Sequence, residues 1–72
     1  MPKDVHPRPR TILRRNQVQA RTGLSRSTIY DRMREGTFPR QVSLGAKAVG
    51  WLESDVDHWI EVQVNRSRDN AN

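Results

Sequence analysis

Apolar residues along this chain fall into short clusters, each with its own spacing, separated by polar or turn-forming stretches. Ile12 and Leu13 precede the run "RNQVQARTG", in which Val18 and Ala20 are the apolar positions. This run predicts a helix of about two turns, with Gly23 placed to stop it. Ser25 comes next, a residue whose hydroxyl accepts from the free N–H groups at a helix start. Leu24 and Ile29 stand around it at the N′ and N4 positions of a hydrophobic staple. A second helix is therefore predicted from Arg26 to Glu35, ending at Gly36, with Pro39 blocking any continuation. At about 100° per residue, Ile29 and Met33 share one face, while Arg26, Ser27, Tyr30 and Arg34 form a polar stripe on another. Two short helices joined by a Thr-Gly-Leu turn make a helix-turn-helix.

Further along, Val42, Leu44, Val49 and Trp51 alternate with other residues on either side of "GAKAVG", the pattern of a β-hairpin. Gly45 and Gly50 are expected to supply backbone freedom around a tip at Lys47. Val56, Trp59, Ile60 and Val64 then return to helical spacing. Glu53, Asp55 and Asp57 stand near the start of that segment, where the helix dipole favours negative charge. It predicts a closing helix packed under the hairpin. Pro2, Pro7 and Pro9 make residues 1–10 read as an extended, disordered basic arm. The polar "NRSRDNAN" reads as a disordered tail over residues 65–72. The expected domain thus spans residues 11–64 and is mainly α with a small β-hairpin wing.

Composition changes this picture by adding a partner. A chain of 72 residues holds one small domain with a thin core. Its formal charge is +5, its pI near 11.1, and 11 of its 13 basic residues are Arg. Planar guanidinium groups recognise phosphates and base edges bidentately, so the composition points to a polyanion. The charge is also segregated: Met1 to Gly50 carries 11 basic and 3 acidic residues, Trp51 to Asn72 carries 2 and 5. The absence of Cys removes disulfides and thiolate metal sites and fits a reducing compartment. No apolar run reaches the roughly 18 residues of a membrane span, and "MPKDVHPRPR" lacks the apolar core of a signal peptide. A soluble cytoplasmic, nucleoid-associated protein is expected.

The second helix of a helix-turn-helix typically presents its N-terminal side chains to base edges. Arg26, Ser27 and Thr28 hold those positions. Arg26 is the candidate for guanine O6 and N7, Ser27 or Thr28 for a base or a phosphate, and Tyr30 and Arg34 for phosphates. A solvated amphipathic helix is the plainer reading, and the basic charge and preceding turn argue against it. Asp31 would repel phosphate unless paired, and Arg34 at i+3 is its expected partner. Lys47 reads either as a phosphate or minor-groove contact or as an ordinary exposed tip residue; its small neighbours Ala46 and Ala48 favour contact. Arg14, Arg15, Asn16 and Gln17 open the first helix, where N–H groups and the dipole favour an anion. Phe38, Trp51 and Trp59 could stack nucleobases, but in a 72-residue domain with four aromatic residues they are read as packing. His6 and His58 lack further ligands for a zinc site, and no nucleophile, base and orienting group assemble. Neither a cofactor nor an enzymatic activity is expected.

The run from Leu13 to Ile60, with "TGLSRSTIY", "GTFPRQVSLG" and "AVGWLESDVDHWI" in that order, resembles the AlpA family of prophage regulators. At greater distance it resembles excisionases and MerR-type winged helices. The resemblance implies a winged helix-turn-helix protein that binds double-stranded DNA and regulates phage or mobile-element genes, usually positively. In some members it implies antitermination with RNA polymerase as partner; related proteins bend DNA for excision. It does not cover the arm or the tail. Two other readings stay open: an excisionase-like architectural protein, and an adaptor whose acidic closing helix (Asp55, Asp57, Glu61) binds a basic protein without DNA. No heptad repeat follows the last helix, so a monomer that binds adjacent sites cooperatively is expected over a coiled-coil dimer.

Overall fold

The computed structural model describes residues 10–70; of the arm expected over 1–10, only Arg10 lies within them. Strand β1 (Ile12–Leu13) leads into helix α1 (Arg15–Thr22) and helix α2 (Arg26–Glu35). Strands β2 (Val42–Ser43) and β3 (Val49–Leu52) follow, then helix α3 (Glu53–Asn70). The sheet order is β1-β3-β2, antiparallel throughout. The architecture is mainly helical with a small β-wing, a winged helix-turn-helix as the sequence predicts.

The core lies against the sheet face that carries Leu13 and Trp51, which oppose each other in register. Val18 from α1, Ile29 from α2, Phe38 from the following loop and Val56 from α3 complete it. Trp51, Ile29, Val18 and Val56 are wholly buried. Two indole N–H groups fix the loop after α2: that of Trp51 donates to the Pro39 carbonyl at 3.1 Å, that of Trp59 to the Thr37 carbonyl at 2.7 Å. Phe38 meets Trp59 edge-on with ring centres 5.0 Å apart. Arg21 of α1 pairs with Glu53 and, at 2.8 Å, with Asp57, tying α1 to α3. The hydrogen bond to Glu53 is the main cause holding the Arg21 guanidinium pKa above its ordinary value.

Several expectations are corrected. Ala20 is exposed, because two residues turn a helix by about 200° and Val18 already faces the core. The wing is part of a three-stranded sheet, since Ile12 and Leu13 pair with Leu52 and Trp51. Val42 opposes Gly50 and Ser43 opposes Val49, so Val42 and Leu44 lie on the face away from Trp51, and Leu44 is 43% exposed. Gly45 and Gly50 do not use the left-handed region; among the described residues only Gly23 and Gly36 do. Gly50 is required by space, because a Cβ there would meet the Ile12 side chain and lie 2.9 Å from the Leu13 carbonyl oxygen. Val64 is 40% exposed, not packed. Finally, α3 continues past Val64 to Asn70, into the expected tail. Polarity there forbids burial but not helicity, and with no Gly or Pro each added residue extends the hydrogen-bond ladder.

Candidate nucleic-acid interface

Helix α2 is set by its two ends. The Ser25 hydroxyl accepts from the Thr28 N–H at 3.2 Å and donates to the Thr28 Oγ1 at 2.9 Å. At the other end Gly36, with φ 79°, turns the chain so that its N–H reaches the Met33 carbonyl and the Thr37 N–H reaches that of Arg32. Leu24 and Ile29, the staple pair, both join the core cluster. The buried Ile29 and half-buried Met33 thus fix which way α2 faces, and the neighbouring stripe is left to Arg26, Ser27, Tyr30 and Arg34.

Arg26, Ser27 and Arg34 are exposed there, whereas Tyr30 is half-buried and Thr28 is partly buried with its hydroxyl engaged by the cap. The Tyr30 ring packs edge-on against Trp51, centres 6.3 Å apart, and the Arg26 guanidinium lies over its face at 5.4 Å. Arg34 pairs with Asp31 one turn back.

One open groove of about 350 Å³ brings Arg15, Asn16, Tyr30 and Lys47 together with Arg14 and Val49. The wing tip and the start of α1 therefore form one wall beside α2. Within that wall some groups are already occupied. The Gln17 Oε1 accepts from the Arg14 N–H at 2.8 Å, the Asn16 Oδ1 accepts from the Gln17 N–H at 3.0 Å, and Arg15 donates to Gln19 at 2.8 Å. These bonds fix the α1 entry, and Gln17 is turned back onto the backbone rather than into the groove.

Arg40 and Gln41 were not singled out by sequence reasoning. They line a second groove of about 390 Å³ with Tyr30, Met33 and Arg34, residues of the C-terminal half of α2. The only signal for them is a basic residue directly after "TFP", between two elements, where no periodicity points to it.

Residues 11–64 match the family described as prophage CP4-57 regulatory protein (AlpA). The chain belongs to the AlpA family of prophage regulators. It is 42% identical over 55 residues to the DNA-binding transcriptional activator AlpA of Escherichia coli (strain K12), covering 68% of this chain and 79% of that protein. Over 49 residues it is 56% identical to an uncharacterized protein, ORF88, of Enterobacteria phage P4, covering 68% of this chain. The chain spans 56% of that phage protein's length. The AlpA family match ends at residue 64, so Arg66 and Arg68 of α3 lie beyond it. Among the described residues no helix is long and apolar enough to cross a membrane.

Proposed function

We propose that this AlpA-family chain is a sequence-specific DNA-binding regulator of phage or mobile-element transcription, acting positively and in contact with RNA polymerase. The observation that carries the reading is the α2 face itself. Arg26 and Ser27 are exposed at its N-terminal turn, Tyr30 and Arg34 follow at one-turn intervals, and a basic wall of Arg15 and Lys47 stands alongside. In this reading α2 enters the major groove, Arg26 addresses a guanine edge, Ser27 a base or phosphate, and Tyr30 and Arg34 the backbone. Lys47, Arg15 and Asn16 hold phosphates beside it; Thr28 and Gln17 act through the helix caps. The relative's description as a DNA-binding transcriptional activator supports the same assignment. The adaptor reading is weakened because Asp57, one of its three carboxylates, is paired with Arg21.

The test is selection of duplexes from a random pool by the full chain, followed by competition between the selected site and random DNA. Transcription is then measured from a template carrying that site, with and without the protein. Preferential binding and raised transcript yield are expected. Equal affinity for selected and random duplexes would overturn the sequence-specific reading, and binding without any change in transcription would remove the positive-regulator part.

A further inference from the structure

A helix seated in the major groove, about 12 Å wide, has a sugar–phosphate backbone along each of its sides. The flanking groups invoked so far, Arg15, Asn16 and Lys47, line one groove, which meets α2 at Tyr30. Tyr30 also borders the second groove, which follows the C-terminal half of α2 and is lined by Arg34, Arg40 and Gln41. We propose that this second wall is a further DNA-backbone site: Arg40, with Gln41, holds phosphates other than those held by α1 and the wing, and Arg66 extends that contact outward. The inference rests on the DNA-binding reading and adds backbone contacts, beyond that of Arg34, that the reading leaves unassigned.

The position of Arg40 is built rather than incidental. It follows Pro39, whose carbonyl is held by the Trp51 indole, and the Thr37 carbonyl just before is held by Trp59. The segment carrying Arg40 is therefore anchored to the core at two points while Arg40 itself is exposed. Among the described residues the ion pairs engage only Arg21 and Arg34, so neither Arg40 nor Arg66 is neutralised by a carboxylate. Arg40 also borders the groove against α3, where Arg66 stands on the opposite wall. Asp55 lines that groove too, but lies three helical turns from Arg66, roughly 16 Å along the axis. The anion path thus runs from Arg34 past Arg40 to Arg66 and does not continue to Asp55. Arg66 exists as part of this wall because α3 runs beyond Val64.

A methylphosphonate scan tests this. In the selected duplex each phosphate near the site is replaced singly, on both strands, by a neutral methylphosphonate, and affinity is measured for the parent chain, Lys47→Ala, Arg40→Ala and Arg66→Ala. The parent should lose affinity at phosphates on both strands. Lys47→Ala and Arg40→Ala should become insensitive at different phosphates, and Arg66→Ala at phosphates outward of the Arg40 set. Arg40→Ala should also weaken selected and random duplexes alike and make the slope of log K against log salt shallower by about 1, with Arg40→Lys restoring it. Circular dichroism confirms folding of each variant. The inference fails if Arg40→Ala keeps the parent's affinity, slope and sensitivity at every phosphate, or if it and Lys47→Ala lose sensitivity at the same phosphates. A parent chain that binds no selected duplex better than random would instead overturn the sequence-specific reading, and one that binds neither would overturn both.

Discussion

The Arg26 guanidinium sits 5.4 Å from the centre of the Tyr30 ring, and that ring rests edge-on against the wholly buried Trp51. An exposed arginine is thereby braced on the core through one intermediate. A guanidinium over an aromatic face is held electrostatically, and a side chain already confined loses less freedom when it meets its target.

Arg26→Ala should accordingly cost roughly 1 to 3 kcal/mol on the selected site and little on random DNA. Tyr30→Leu should reproduce part of that loss of selectivity, since it removes the ring that steers Arg26. Tyr30→Phe should keep selectivity and lose only what the hydroxyl contributes. Competition of selected against random duplex for the three variants and the double variant Arg26→Ala/Tyr30→Leu checks this. Fully additive losses in the double variant would show that the ring does not act through Arg26.

The second helix was legible because its signals are local: Ser25 at the cap, Gly36 at the stop, and Leu24 with Ile29 across the entry all act within a few residues. The sheet was only half legible. Ile12 and Leu13 are too few to show a period, and their pairing with Leu52 and Trp51 crosses some 40 positions of chain. The exposure of Ala20 and the helical Asn65–Asn70 segment were misread for related reasons. Apolarity marks a burial site only when the helical angle agrees, and polarity marks exposure rather than disorder. On the interface, the α2 stripe followed from periodicity, whereas Arg40 comes to it only through the three-dimensional course of the Thr37–Pro39 loop.

The two tryptophans should separate in stability. Trp51 is wholly buried and central, so Trp51→Ala should cost about 3 to 5 kcal/mol and abolish a cooperative melt in a domain this small. Trp59 is only half-buried, and Trp59→Ala should cost less, about 2 to 3 kcal/mol, from the lost edge contact with Phe38 and the lost bond to Thr37. Trp59→Phe should recover the contact and lose roughly 1 kcal/mol for the hydrogen bond. Urea denaturation of the three variants measures the order, and a Trp59→Ala chain as unstable as Trp51→Ala would contradict it.

Gly50→Ala should be disproportionately harmful for one methyl group. The new Cβ would lie 2.9 Å from the Leu13 carbonyl oxygen, a backbone atom that cannot swing aside as a side chain can. Strands β1 and β3 would have to separate, exposing Leu13 and Trp51 together, so a loss of about 1 to 3 kcal/mol is expected. Gly45→Ala, where a Cβ meets nothing within 4 Å, is the control and should melt with the parent. Equal melting temperatures for both variants would show that β1 can shift at no cost.

Among the described residues Asp31 is the one carboxylate placed beside the α2 stripe, and it is paired with Arg34 at i+3. Both side chains are well exposed, 56% and 72%, so the pair contributes little to stability in water. Its effect on binding should be larger than its effect on folding, because the carboxylate both repels phosphate and competes for Arg34. Asp31→Asn should therefore tighten binding to selected and random duplexes alike, on the order of 0.5 to 1 kcal/mol at low salt, and leave the melting temperature nearly unchanged. The gain should shrink as salt is raised, since both duplexes lose their electrostatic advantage together. In an Arg34→Ala background the same substitution should help less, because only the repulsion is left to relieve. Anisotropy titrations of the four chains at two salt concentrations measure these differences. Weaker binding by Asp31→Asn would mean that Asp31 orients Arg34 for its phosphate rather than withholding it.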